Sequence, residues 1–119
     1  MRKVKVLMAG ESLFPAAWEA TGYFERLRGL SKSEGVTAQA AMLFARCPRV
    51  QCWSMKFPID VAIMDRDGRV LAVDTVEPGK AGPKAKGAYW ALESRAGRLA
   101  ELGVAKGCVL EIEQEGGAR

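Results

Sequence analysis

The sequence predicts a mainly β (α+β) fold, a compact antiparallel β-barrel or sandwich of about eight short strands with two short helices. Short apolar or alternating segments recur along the 119 residues and are separated by glycine, proline and aspartate turns. Residues 53–68 contain two apolar segments joined at Pro58 and end in an Asp-Gly hairpin signal at Asp67-Gly68. A hydrophobic content of 49% suits one core. We expect one β-rich domain over 1–114 and a flexible tail over 115–119.

The N-terminal third predicts two strands and a helix. Residues 3–8 alternate between polar and apolar side chains, as in a strand with one buried face, and a turn follows at 9–12. Residues 13–20 predict a second strand, irregular because Pro15 has no N–H to donate. A short helix is expected over 21–30, where apolar residues recur at helical spacing.

The middle of the chain predicts a series of short strands. Segments 41–44, 50–57 and 59–65 are apolar and bounded by turns. The run 65–68 predicts a hairpin, because Asp-Gly supplies the positive φ of a tight turn. Residues 69–76 form the return strand. Its predicted common face carries Val70, Ala72 and Asp74.

The C-terminal third begins with a basic loop at 78–87, rich in glycine, proline and lysine, which we expect to be exposed with nothing that packs. Residues 88–93 predict a strand. Apolar residues within 96–102 fit a two-turn helix that Gly103 ends. The last strand is expected over 108–113.

Composition narrows the classes of function. The net charge of +4 is a mild excess, short of the clustered basic surface of a nucleic-acid-binding protein. Histidine is absent, which removes the commonest general base and metal ligand. Cys47, Cys52 and Cys108 are expected to be small, partly buried hydrophobic residues, with pairing of the first two left open. No segment has transmembrane length or the form of a signal peptide, so we expect a cytoplasmic protein.

Several motifs follow one another along the chain in a characteristic order. They are Arg28-Gly29-Leu30, Met42-Leu43-Phe44, Met55-Lys56-Phe57-Pro58-Ile59-Asp60-Val61, Asp65-Arg66-Asp67-Gly68, Leu92-Glu93 with Ala96-Gly97, and Gly107. In these motifs and their order, the sequence resembles the bacterial and archaeal family known as domain of unknown function 192. The resemblance implies a compact β-rich domain and no established catalytic residue. Relatives often have a histidine near Gln51-Cys52 and Gly-Asp where this chain has Gly107-Cys108, so two titratable groups are missing here.

Asp60 is the first candidate functional residue. It lies between Ile59 and Val61, and a buried carboxylate is costly unless it is paired or hydrogen-bonded. We expect a structural anchor that accepts backbone N–H bonds or pairs with Arg28. The alternative is a proton-transfer or ligand-binding acid.

A second hypothesis concerns the segment before Asp60. Its aromatic and basic side chains could line a concave face for a small anionic or aromatic ligand. Alternatively, the aromatic residues belong to the core and Lys56 extends to solvent. The candidate ligand-binding residues are Arg28, Trp53, Met55, Lys56, Phe57 and Asp60.

These observations favour a non-enzymatic binding or accessory module for a small molecule or protein partner, with no cofactor and no metal. Asp65 and Asp67 are expected to serve the turn, since their spacing suits a shared metal poorly. One alternative is a hydrolase-like enzyme that uses Asp60 as acid–base and Lys56 as electrostatic stabiliser. A weaker alternative is nucleic-acid association through the loop at 78–87. Its lysines and the aromatic residues after them are Lys80, Lys84, Lys86, Tyr89 and Trp90.

Overall fold

The computed structural model of the protein describes residues 1–21, 39–47 and 57–114. Within these residues the chain forms eight strands and one short helix. The elements are β1 (Arg2–Met8), β2 (Glu11–Ser12), β3 (Ala16–Glu19), β4 (Ala40–Phe44), β5 (Ile59–Met64), β6 (Val70–Val76), β7 (Trp90–Arg95), α1 (Arg98–Glu101) and β8 (Glu111–Gln114).

The strands form a single curled sheet in the order β2-β1-β3-β4-β7-β5-β6, with β8 paired to β1. The strand pairs are antiparallel except β3 with β4, which is parallel. Val70 N–H donates to Cys108 O (2.7 Å), and Leu110 N–H donates to Gly68 O (2.8 Å). These bonds join the start of β6 to the segment before β8, so the two ends of the sheet meet. The mainly β prediction is confirmed.

The sheet buries apolar side chains on both faces. Leu99 of α1 packs on one face, here called the α1 face, together with alternate residues of the strands. The opposite face carries a second buried cluster that includes Val61 and Ile63. Every residue of β5 is buried, because this strand contributes to both clusters. A strand of this kind has a continuous apolar sequence without alternation.

The irregularity predicted for residues 13–20 is present. Leu7 pairs with Ser12 of β2 and with Glu111 of β8, so β2 and β8 lie on opposite edges of β1. Strand β3 begins only after Pro15, and it shares an edge of β1 with β2. The missing N–H of Pro15 accounts for the interruption between the two strands.

The predicted common face of the return strand is wrong at one position. The register shifts between Ile63 and Met64, so Val70 lies opposite Met64 while Ala72 lies opposite Ile63. An extra residue in one strand moves the following side chains to the other face. Val70 therefore packs on the α1 face, whereas Ala72 lies on the opposite face with Asp74.

Two further predictions change in detail. Gly82, within the loop at 78–87, is buried, so this loop does pack, although its three lysines are exposed. Helix α1 has one turn, not two, and Gly103 follows its C-cap with φ +79°. The helix predicted over 21–30 and the strand predicted over 50–57 lie outside the described residues except for their end residues, Thr21 and Phe57, and the tail over 115–119 lies wholly outside them.

The hairpin between β1 and β2 offers a test of turn chemistry. Ala9 and Gly10 have φ of +52° and +83°, the pattern of a type I′ turn. Left-handed backbone is strained for alanine and better tolerated by asparagine. We expect Ala9→Asn to raise the free energy of unfolding by about 0.5 to 1 kcal/mol in urea denaturation. Ala105→Asn, at an exposed alanine without positive φ, is the control and should give no gain. Equal effects of the two substitutions would contradict the turn assignment.

Candidate functional site

Asp60 lies near the start of β5 with its side chain on the α1 face. Only 3% of the residue is exposed to solvent. Thr75 Oγ1 donates to one carboxylate oxygen at 2.6 Å, and Leu99 N–H donates to the other at 3.1 Å. Thr75 is the residue directly opposite Asp60 in the register between β5 and β6. The carboxylate therefore joins β5, β6 and α1.

The bond to Leu99 also supplies a helix cap. The N-cap residue of α1 is Gly97, which has no side chain to accept the first free N–H groups. Asp60, which lies on β5 and 39 positions earlier in the chain, accepts the hydrogen bond of one of these groups, Leu99 N–H. This geometry is that of an anchor that accepts a backbone N–H. The other expected partner, Arg28, lies outside the described residues.

The predicted ligand-binding residues do not form one group within the described chain. Phe57 is half-buried and packs against the cluster on the opposite face, whereas Asp60 faces α1. The sheet separates these two side chains. Trp53, Met55 and Lys56 lie outside the described residues.

Asp65 organises the hairpin between β5 and β6. Its Oδ1 accepts the N–H groups of Asp67 and Arg69, both at 2.9 Å, and its carbonyl oxygen accepts Gly68 N–H at 3.1 Å. These bonds are the turn chemistry expected from the sequence. Among the described residues, no group of three or more cysteine, aspartate or glutamate side chains is arranged to hold a metal ion.

The aromatic residues after the basic loop contact their own chain. The guanidinium of Arg66 lies 4.6 Å from the centre of the Tyr89 ring. Trp90 Nε1–H is 3.4 Å from Arg66 O, and its ring packs against the α1-face cluster. The two rings meet edge to face at 5.2 Å. Stacking on a nucleic-acid base would compete with these contacts.

Two buried glutamates were not singled out as candidates from the sequence. Glu93 of β7 is 5% exposed and lies on the opposite face, across from Met42 and Val61. Glu19, at the end of β3, is 7% exposed, and Arg2 Nη2 donates to its Oε1 at 3.1 Å. The available signal was the alternation Ala17, Glu19, which places Glu19 on the buried side of a strand.

The Arg2–Glu19 pair lies in a cleft of about 350 Å³, here called the arginine cleft. Strands β3 and β4 are parallel, so both end at the same rim of the sheet, and β1, antiparallel to β3, begins there. The side chains at these strand ends come together for this reason. The arginine cleft is lined by Arg2, Glu19, Ala20, Thr21, Ala45 and Arg46.

Cys47 and Cys108 are half-buried, and Cys52 lies outside the described residues. Cys108 Sγ is 3.6 Å from Gly103 O, and Cys47 packs against the opposite-face cluster. In the described part of the chain, no helix is long and apolar enough to cross a membrane.

Solved structures with a similar fold are known. A protein of unknown function from Novosphingobium aromaticivorans has a TM-score of 0.74 and 22% identity, over 92% of this chain and 83% of that one. A Sinorhizobium meliloti protein named "putative transcription regulator" has a TM-score of 0.71 and 23% identity, over 92% of both chains. At these identities the likeness shows a shared fold.

Sequence comparison identifies the family. Among curated proteins, none is significantly similar to the chain. Residues 7–112 match the family profile of DUF192, described as "Uncharacterized ACR". The match covers most of the chain and includes the motifs from Met42 to Gly107. The chain therefore belongs to the family of domain of unknown function 192.

Proposed function

We propose that the protein is a non-enzymatic binding or accessory module that takes a small molecule or a protein partner. The supporting observation is the state of Asp60, the most deeply buried carboxylate among the described residues, at 3% exposure. Both of its oxygens accept hydrogen bonds from groups of the framework, Thr75 and the Leu99 backbone. A carboxylate bound in this way stabilises the fold.

The hydrolase-like alternative requires that a substrate can reach the Asp60 carboxylate, which is buried and hydrogen-bonded. A general acid or base must come within about 2.6 to 3.2 Å of the proton it transfers, directly or through one water. Substrate would have to displace Thr75 or α1 to reach the carboxylate. Burial behind these partners therefore supports the binding module over the enzyme.

Nucleic-acid association remains the weaker alternative. Lys80, Lys84 and Lys86 are exposed, but Tyr89 and Trp90 are engaged with Arg66. The structural neighbour named as a regulator shares the fold only, at 23% identity. Phosphate contacts would weaken steeply with added salt, which separates this alternative from the others. The cytoplasmic location stays a prediction from the sequence.

A thermal-shift screen with a panel of metabolites tests the proposal. A ligand that binds only the folded chain at 100 times its Kd stabilises it by about 2.7 kcal/mol. We expect at least one compound to raise the unfolding temperature and to be recovered chemically unchanged by mass spectrometry. Conversion of that compound by the native chain, lost in Asp60→Asn, would contradict the proposal and favour the enzyme. A blank panel would direct the search to a protein partner.

A further inference from the structure

We infer that the arginine cleft binds a small anion that carries a phosphate or carboxylate group. This inference rests on the proposed binding function and gives it a location and a ligand class. The cleft volume of about 350 Å³ falls within the range of small-molecule sites, about 300 to 1,000 Å³. The described residues that line the cleft are not among the ligand-binding residues predicted from the sequence, which are Arg28, Trp53, Met55, Lys56, Phe57 and Asp60.

The charges of the cleft favour an anion. The Arg2–Glu19 pair is neutral, and Glu19 occupies one of the five N–H donors of the guanidinium. The Arg2 side chain is 45% exposed and lines the cleft. Arg46 is exposed and makes no ion pair with any described residue, so the described lining of the cleft carries one net positive charge. Guanidinium groups bind phosphate and carboxylate through paired N–H bonds.

The backbone of Arg46 is a second, independent observation. Its φ is +51°, in the left-handed region that favours glycine or asparagine. Cys47 N–H donates to Tyr89 O at 2.9 Å, which holds the chain just after this residue. Strained conformations of this kind occur preferentially at binding and catalytic sites. The strained backbone of Arg46 therefore supports a binding role at this rim.

Glu19 acts here as a positioning residue for Arg2. Its burial and its bond at 3.1 Å hold one guanidinium at the rim. The remaining lining residues Ala20 and Ala45 are small and leave space, and Thr21 adds a hydroxyl. Polar lining with two arginines suits a hydrophilic anion better than an apolar ligand.

Titration with inorganic phosphate, followed by ¹H–¹⁵N NMR at constant ionic strength, tests the inference. We expect saturable shifts at the amides of Arg2, Thr21 and Arg46, and a parallel titration with succinate to show whether carboxylate or phosphate is preferred. Arg46→Gly should weaken the response at least about tenfold, because it removes a charge-assisted contact. The same substitution should raise the thermal midpoint by about 3 °C, because glycine relieves the strained φ.

Arg95→Ala is the matched control. Arg95 ends β7 at the opposite end of the sheet and pairs with Glu101 at 3.7 Å. Its loss removes the same charge and should leave the anion response intact. Non-saturable shifts in the native chain, or an equal loss in Arg46→Gly and Arg95→Ala, would overturn the inference. If a metabolite stabilises the chain but shifts amide resonances outside the arginine cleft, the cleft is not the binding site, and the proposed binding function is retained.

Discussion

Substitution of Gly68 by alanine is expected to lower the free energy of unfolding by at least about 3 kcal/mol, or to prevent folding. A Cβ at this position would lie 2.0 Å from the carbonyl oxygen of Leu110, a backbone atom that cannot rotate away. The φ of +90° adds strain for any residue with a Cβ. Gly68 O also accepts Leu110 N–H at 2.8 Å, so relief of the clash would break the contact that joins the two ends of the sheet.

Gly79→Ala separates the steric clash with Leu110 from the strain of positive φ. Gly79 has a similar φ of +82°, but no atom lies within 4 Å of the Cβ site. Only the conformational strain remains there, and we expect a loss of about 1 to 2 kcal/mol. Urea denaturation of both variants gives the difference, which measures the close approach itself. Equal losses would show that residues 68 and 110 are not packed as described.

Substitution of Asp60 by asparagine is expected to lower the free energy of unfolding by about 2 to 3 kcal/mol. The carboxylate accepts from two donors, Thr75 Oγ1 and Leu99 N–H. An asparagine oxygen can still accept Leu99 N–H, and its NH₂ group then faces Thr75 Oγ1, which has to turn its own hydrogen away and accept. Both bonds lose the charge of the acceptor, which makes such bonds about twice as strong as neutral ones. Thr75→Val removes a single partner and should cost about 1 kcal/mol. Denaturant melting measures both losses, and the Leu99 amide resonance should shift in Asp60→Asn.

Asp74→Asn is the control on the adjacent strand. Asp74 is exposed, and its Oδ1 accepts Thr75 N–H at 2.8 Å, a bond that an asparagine oxygen can keep. Its effect should stay within about 0.5 kcal/mol, as is usual for surface positions. Unchanged stability of Asp60→Asn would remove the anchor hypothesis. Loss of ligand binding or turnover with stability intact would instead assign Asp60 to function.

These experiments separate two roles for charged side chains in one small domain. Asp60 lies inside the sheet and bonds to the framework, whereas Arg46 lies at the rim with its charge exposed. Substitution of Asp60 should lower stability, and substitution of Arg46 should weaken anion binding.

The sequence alone was sufficient where the cause is local. The alternation of Val4 and Val6, the break at Pro15 and the Asp65–Gly68 hairpin are set by neighbouring residues and by allowed backbone angles. These features predicted the mainly β fold and the turn role of Asp65. The need of Asp60 for hydrogen-bond donors also followed from its apolar neighbours.

The tertiary structure decided everything that depends on register and on contacts between distant segments. The shift opposite Met64 reverses the face of Val70, although no local signal marks it. The Leu99 N–H reaches Asp60 only because α1 folds back onto the sheet. The arginine cleft exists because β3 and β4 run parallel and end together. Side-chain pattern determines what each strand can bury, whereas pairing across the sheet determines which strand ends meet.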